Sequence, residues 1–361
     1  MGKLFTFASI TALLTSAAWS TDLKGMYPNV FEQPTGIKVA PITIGDLSIS
    51  MPAYQVLPFP EEEANRNHYD ERFVGEGGAK QMVACFSDIP QHQRCLVMHY
   101  TVADFARTMD IFTRNVPDGR VSAHYVLTQT EGHGIPAGQI FSMVSDNQRA
   151  WHAGISYWRG MNNLNPNSIG IENINKGFVG DEASTPTWFA FDEKQIETLG
   201  RLSQYLVQNY NIAPWNVVGH ADIAPGRKQD PGILFPWGKL YHEYGVGAWL
   251  DRDEQDPELF AKKRFIPKEK LPRETNDSFF LSYMKKYGYD VDERASLDAR
   301  VLTDESVDQS IKNPVAKNVG AIKAFRAHFS KNGQAAAYNE AYDENDMYWI
   351  WALNAKYPSG L

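Results

Sequence analysis

The alternation of short apolar segments with one amphipathic helix between residues 95 and 250 most constrains how this chain can fold. Five segments have the length and the apolar or β-branched composition of strands: Cys95–Thr101, Ala123–Gln129, Gln139–Val144, Ser168–Asn173 and Asn216–His220. Between the last two, apolar residues recur at helical spacing: Ile196, Leu199, Leu202, Leu206 and Tyr210. Strands that alternate with helices predict an α/β domain over residues 91–250.

The ends of that helix are also predicted by local chemistry. Asp192 is placed to cap the first turn, with Gln195 at the reciprocal position of a capping box. Pro214 is placed to end the helix, because proline cannot continue the backbone hydrogen bonds.

The segments on either side of this domain have a different composition. Residues 21–90 are rich in proline and polar residues and predict an extended N-terminal arm lying on the next domain, whereas the charged, proline-punctuated residues 251–275 predict a linker. Apolar stripes at helical spacing then predict a small helical bundle over residues 276–361. The stripes are Phe280, Tyr283, Met284 and Tyr287 before Gly288, then Val319, Ile322, Phe325 and Phe329, and finally Ile350, Leu353 and Tyr357 before Pro358.

Residues 1–20 have the order of a secretory signal peptide: a lysine, an apolar stretch, and small residues around an Ala18-x-Ser20 cleavage site. The alternative is a buried N-terminal helix. No cysteine lies near the cleavage site, so we expect a free periplasmic or secreted protein without a membrane anchor. Cys85 and Cys95 could form one disulfide in that compartment or be two buried free thiols, and their spacing does not decide between these states.

Composition excludes several classes of protein. Lys and Arg number 35 against 43 Asp and Glu, a net charge of −8 without a basic run, which argues against nucleic-acid binding. Apolar residues make up 43% of the chain, enough for a packed core. Beyond the N-terminus, no apolar run approaches the roughly 18 residues of a membrane helix.

Two histidines and an aspartate are candidate metal ligands. His99 and His220 each stand at the end of a predicted strand, where an α/β sheet presents side chains to a cleft. Asp230 lies on a loop rich in proline and glycine that could return a carboxylate to the same point. Two imidazoles and a carboxylate, with a fourth position open, form the ligand set of a catalytic zinc. The spacing equally allows a hydrogen-bonded pair of core histidines with a loop-capping aspartate.

Glu172 and Lys228 are candidates for proton transfer and charge stabilisation. Glu172 stands in an otherwise apolar strand, where a carboxylate is costly to bury unless it is paired or functional. The alternative is an edge strand with Glu172 facing water. Lys228 precedes Asp230 by two positions, so both could face one side of an extended loop, although a solvated loop lysine is the ordinary case.

A series of motifs, in order between residues 99 and 237, resembles one known family. The motifs are His99-Tyr100-Thr101, Ser122–Tyr125, Ala150–Gly154, Ser156–Gly160, Ser168–Glu172, His220–Pro225, Lys228, Asp230-Pro231-Gly232 and Phe235-Pro236-Trp237. Together they resemble the type 2 N-acetylmuramoyl-L-alanine amidases, above all the AmiD and AmpD groups, a zinc family that includes peptidoglycan-recognition proteins. Ala324–Phe329 is similar to the second helix of that family's peptidoglycan-binding bundle.

The resemblance implies a central mixed β-sheet flanked by helices and one Zn²⁺ per chain, held by His99, His220 and Asp230. It implies Glu172 as the general base and Lys228 as the group that stabilises the oxyanion. The substrate would be the amide between N-acetylmuramic acid, or its anhydro form, and L-alanine in peptidoglycan or muropeptides. A non-catalytic peptidoglycan-binding protein is the alternative function.

Three further residues are predicted to contact the substrate. His152 stands between two tryptophans and is expected to line the cleft, with a buried structural histidine as the alternative. Trp151 and Trp158 could stack on a sugar face or simply be core aromatics. We expect His124 to be structural and His328 to take part in packing or wall binding.

Overall fold

The computed structural model describes residues 42–44, 47–49, 69–74, 80–113, 121–129, 137–180, 186–261, 276–295, 314–329 and 342–358. The predicted signal peptide lies outside these ranges, as does most of the predicted linker. Within the described residues, no helix combines the length and apolar character needed to cross a bilayer.

The described strands are short, and all of them lie before residue 220. The strands are β1 Ile42–Ile44, β2 Leu47–Ile49, β3 Tyr69–Val74, β4 Gln81–Val83, β5 Cys95–Tyr100, β6 Tyr125–Leu127, β7 Ile140–Ser142, β8 Gln148–Ala150, β9 Tyr157–Trp158, β10 Met161–Asn162, β11 Ser168–Asn173, β12 Phe178–Val179, β13 Thr187–Trp188 and β14 Val217–Gly219. The α-helices are α1 Phe105–Thr113, α2 Glu193–Asn209, α3 His220–Ile223, α4 Trp237–Tyr244, α5 Pro257–Phe260, α6 Asp277–Tyr287, α7 Pro314–Phe329 and α8 Glu344–Lys356.

The core of the molecule is a five-stranded mixed sheet in the order β14-β5-β11-β6-β7. The first four strands are parallel, and β7 joins the edge antiparallel to β6. This confirms the predicted α/β class with a mixed sheet. Strand β11 lies in the middle, so the edge-strand alternative for Glu172 is wrong.

Helix α2 packs against the sheet through the predicted stripe, and the Asp192 carboxylate caps it by accepting from the Lys194 N–H. The capping-box role predicted for Gln195 is wrong. Its side-chain amide instead donates to the Leu127 and Ile174 carbonyls at 3.1 and 3.0 Å. The helix ends at Asn209, before Pro214, which begins a separate 3₁₀ turn.

Part of the predicted N-terminal arm belongs to the domain itself. Strand β3 pairs antiparallel with β8 and carries Arg72 into the interior, where the side chain is completely buried. Its guanidinium donates to the carbonyls of Asp146, Pro166 and Ser168 at 2.7–3.0 Å. Ser168 begins β11, so Arg72 of the predicted arm helps to hold the central strand of the sheet in place. Cys85 and Cys95 are both free thiols.

The C-terminal helices α6, α7 and α8 match the three predicted stripes, and they share one hydrophobic core with the sheet domain. Polar contacts join the same two regions. The Tyr289 hydroxyl donates to Asp222 Oδ1 at 2.7 Å, and His328 Nδ1 lies 2.7 Å from Asp222 Oδ2. The His328 ring also stacks on Trp237, with ring centroids 3.7 Å apart. His328 is therefore a packing residue of this interface.

Candidate active site

Strand register places Glu172 beside His99. In the parallel β11–β5 pair the two residues are direct partners, so their side chains leave the sheet on the same face. On the other side of β5, Gly219 pairs with Met98, which brings the next residue, His220, level with His99. His220 begins helix α3 rather than ending a strand.

The loop after α3 turns back on itself and returns Asp230 to the sheet. The Ala221 N–H donates to the Asp230 carbonyl at 2.8 Å, and the Lys228 N–H donates to the Ala224 carbonyl at 3.0 Å. The Asp222 carboxylate accepts from the Gly219 N–H at 2.7 Å and so fixes the start of α3. These local bonds explain how a carboxylate ten residues beyond His220 reaches the same point.

The three predicted ligands meet at one buried point. His99 Nδ1 lies 2.9 Å from Asp230 Oδ2 and 3.0 Å from His220 Nδ1. His220 Nδ1 lies 3.1 Å from Asp230 Oδ2, so the three atoms form a triangle. Three atoms bonded to one tetrahedral Zn²⁺ at about 2.0–2.1 Å lie about 3.3 Å from one another. The triangle therefore approximates one face of a zinc coordination tetrahedron, and within the described residues it is the one His/Cys/Asp/Glu group placed to hold a metal.

Burial and neighbouring charges shift the pKa values of His99 and Asp230 towards the protonation states that bind a metal ion. Burial, reinforced by His220, lowers the pKa of His99 to about 4, so the ring is neutral near pH 7. Burial alone would raise the pKa of Asp230, but His220 and His99 outweigh it and hold that pKa below its ordinary value. Neutral imidazoles and an ionised carboxylate are the protonation states that bind a divalent cation.

Both imidazoles are held through their second nitrogen. His220 Nε2 lies 3.1 Å from the Ala153 carbonyl, which can only accept, so Nε2 carries the proton and Nδ1 keeps its lone pair. Arg227 supports the same segment by donating to the carbonyls of Ala153 and Ile155. His99 Nε2 lies 3.0 Å from Nδ1 of His152.

Glu172 stands beside the cluster as a poorly satisfied carboxylate. Its Oε2 is buried and has no hydrogen-bond partner among the described residues. Burial, together with the Asp230 charge, raises the pKa of Glu172 to about 8, although the Lys228 charge acts in the opposite direction. A carboxylate with a pKa near neutrality is suited to accept and return a proton. Lys228 itself is exposed.

The residues predicted to contact substrate lie in different environments. Trp158 is 1% exposed, and its indole N–H donates to the Trp215 carbonyl, so it offers no face on which a sugar could stack. Trp151 is partly exposed and is held by Asp70 of β3, which accepts its indole N–H at 3.0 Å. His152 is 8% exposed.

Sequence reasoning did not assign a role to three residues near the site. Arg72, Ser168 and Asp222 act through partners far away in the chain, and each belongs to a residue type that is ordinary at the surface. For Asp222, the one available signal was its place two residues after His220, inside a conspicuous motif.

Comparison with known proteins agrees with this geometry. The N-acetylmuramoyl-L-alanine amidase family profile matches residues 90–233. The amidase AmiD of Escherichia coli K12 is 38% identical over 199 residues, which cover 55% of this chain and 67% of AmiD. The chain belongs to the N-acetylmuramoyl-L-alanine amidase family. Its membership confirms the family and the enzyme class that the motifs predict.

Other members of the amidase family extend the comparison. The 1,6-anhydro-N-acetylmuramyl-L-alanine amidase AmpD of E. coli K12 is 36% identical over 121 residues, 34% of this chain and 57% of AmpD. Among solved structures, E. coli AmiD in complex with anhydro-N-acetylmuramic acid-L-Ala-D-γ-Glu-L-Lys superposes with a TM-score of 0.57 at 31% identity, covering 80% of this chain and 98% of AmiD. AmpDh3 of Pseudomonas aeruginosa with anhydromuramic pentapeptide gives the same TM-score and identity, over 79% of this chain and 99% of AmpDh3.

Proposed function

We propose that this amidase uses Zn²⁺ to hydrolyse the amide bond between N-acetylmuramic acid, or its anhydro form, and L-alanine in peptidoglycan or muropeptides. The observation that carries the proposal is the convergence of His99, His220 and Asp230 on one buried point beside Glu172. The muropeptide ligands named for AmiD and AmpDh3 support the substrate class.

The chain's own residues would divide the chemistry as follows. The three ligands would hold Zn²⁺, which would supply Lewis acidity to polarise the amide carbonyl and favour attack by water near neutral pH. Glu172 would take the water proton and then deliver it to the leaving amine nitrogen. Lys228 would bring a positive charge to the oxygen that becomes negative in the transition state. The partly exposed Trp151 would pack against the substrate.

The remaining regions fit the same substrate. We propose that residues 276–361 contribute contacts to the cell wall, and that residues 1–20 direct export to the periplasm or the medium. A charge of −8 and the absence of a basic run in the sequence leave peptidoglycan, not nucleic acid, as the expected partner.

Purified protein incubated with muropeptides tests the proposal. Stem peptide should be released by the zinc-loaded protein, be lost after treatment with a chelator, and reappear when Zn²⁺ is restored. The Glu172→Gln variant is the matched control, because it keeps the three ligands. A wild-type protein that binds muropeptide but releases no peptide with zinc restored would instead support the binding-protein alternative.

A further inference from the structure

A line of buried hydrogen bonds runs from the candidate metal centre into the core. His99 Nε2 lies 3.0 Å from His152 Nδ1, and His152 Nε2 lies 3.1 Å from Ser168 Oγ. The Ser168 hydroxyl then lies 2.7 Å from the Leu164 carbonyl oxygen. All three side chains are buried.

The Leu164 carbonyl at the inner end of this line determines which atom donates in each hydrogen bond. A carbonyl oxygen can only accept, so the Ser168 hydroxyl donates to Leu164. Ser168 Oγ is then the acceptor for the Nε2–H of His152, and a neutral His152 presents the lone pair of Nδ1 to His99. With a metal ion at the point shared by His99, His220 and Asp230, the Nε2–H of His99 would donate to that lone pair and Nδ1 would face the ion.

We propose that His152 and Ser168 are positioning residues, which set the tautomer and ring orientation of His99 for metal binding. This assignment replaces the substrate contact predicted for His152 from the sequence. It rests on the proposed metal site but makes a separate claim, because a zinc amidase could equally orient this ligand through a backbone carbonyl, as happens here for His220.

Packing around His152 supports the assignment. The ring meets His99 edge to face, with centroids 5.1 Å apart and planes at 85°. On the other side the ring presses on Gly170 of β11, where an added Cβ would lie 2.5 Å from His152 Cγ. The ring therefore occupies one fixed position between two neighbouring strands of the central sheet. A side chain confined in this way is suited to orient a ligand.

Zinc affinity of the full-length chain tests the proposal directly. We expect His152→Ala to weaken Zn²⁺ binding about 10- to 100-fold in competition with a chelator, the usual cost of removing a partner of a metal-bound histidine. Ser168→Ala should shift affinity in the same direction by less. The double variant should bind zinc no more weakly than His152→Ala alone, because both residues act through one line of bonds. His152→Gln, whose amide can both accept and donate, should recover part of the loss.

His124 offers a matched control. It is also a buried histidine, with its ring centroid 5.6 Å from that of His152, but its Nδ1 accepts from the Gly170 N–H instead of meeting a metal ligand. Because His124 makes no hydrogen bond to a proposed metal ligand, His124→Ala should lower stability and weaken Zn²⁺ binding less than His152→Ala does.

Two further measurements do not depend on the turnover number. In the zinc-loaded wild type, ¹⁵N NMR of the imidazoles should show a protonated His99 Nε2 that donates to His152, and His152→Ala should shift that signal. At saturating zinc, KM for a muropeptide should be unchanged in His152→Ala. Unchanged zinc affinity in a folded His152→Ala protein, or a raised KM with normal zinc affinity, would overturn the proposal. A wild type that binds no zinc would instead overturn the proposed function.

Discussion

Glu172 and His99 are direct partners on adjacent parallel strands, at the centre of a sheet whose other positions on β11 are buried. The pairing of neighbouring strands therefore holds the carboxylate beside the first of the proposed metal ligands. A base on a flexible loop would have to be ordered at each turnover, whereas the proposed base, Glu172, is preorganised by the backbone hydrogen bonds of the sheet.

We expect Glu172→Gln to abolish most of the catalytic rate while leaving the metal site intact. Glutamine has nearly the same shape but cannot accept the water proton, and general-base catalysis typically contributes a factor of about 10²–10⁴. The measurements are kcat on a soluble muropeptide and the zinc content of the purified variant. Retained activity would remove Glu172 from the mechanism.

The same substitution should change the pH dependence of folding in the metal-free protein. Burial raises the pKa of Glu172 to about 8 from an ordinary value of 4.5. The folded state therefore prefers the neutral acid, so this group's contribution to stability is fully present below about pH 4.5 and is lost as pH rises through 8. The free energy of unfolding of Glu172→Gln, which stays neutral, should exceed that of the wild type by a margin that grows between pH 5 and pH 8.5.

Urea unfolding of both metal-free proteins at several pH values measures this margin. Subtracting the free energies of unfolding of the two proteins at each pH cancels the titration of the groups that do not interact with Glu172. A margin that does not vary with pH would show that Glu172 titrates normally in the folded state.

Lys228→Ala should reduce kcat by about 10²–10³, the usual effect of removing one group that stabilises a developing oxyanion. Because Lys228 is exposed, thermal stability and zinc affinity should stay close to the wild-type values. Lys194→Ala, which removes another exposed lysine on helix α2, is the matched control and should leave kcat unchanged. Equal rates for both variants would contradict the oxyanion role.

Tyr289→Phe should destabilise the sheet domain and the C-terminal helices together. The substitution removes one donor from the buried Asp222 carboxylate, which costs about 1–3 kcal/mol. Because both regions share one hydrophobic core, thermal unfolding should remain a single transition at a lower temperature. Tyr342→Phe removes a similar hydroxyl from a solvent-exposed bond to Asp277, so its effect should stay within about 0.5 kcal/mol. Two separate transitions in calorimetry would contradict the shared core.

The sequence was most informative where local patterns decide the structure. Strand β11 was predicted with its observed bounds, and the stripe of α2 lies on the buried face as expected. The candidate ligands were found because His99 lies near the end of a strand, because His220 directly follows one, and because ordered motifs resemble a known family. The meeting of the ligand atoms needed the sheet order, which no local pattern contains.

Other features escaped prediction because they depend on contacts across the chain. Arg72 falls in the segment predicted to be an extended arm. Its guanidinium nevertheless donates to the carbonyls of Pro166 and Ser168, more than ninety positions further along the chain. Gln195 had the right spacing for a capping box, but its amide donates instead to the carbonyls of Leu127 and Ile174. The sequence does not decide between cleft and core for His152, because its hydrogen-bond partner Ser168 lies 16 positions further along the chain.

Gly320 of helix α7 lies directly against the loop that returns Asp230 to the proposed metal site: a Cβ added there would stand 2.6 Å from Gly226 Cα and 2.8 Å from the Pro225 carbonyl carbon. Even alanine at position 320 would press on the segment that carries Lys228. The loop is thus shaped against the C-terminal helices, and a chimera that replaces these helices with an unrelated module would leave the loop between His220 and Asp230 without its packing surface.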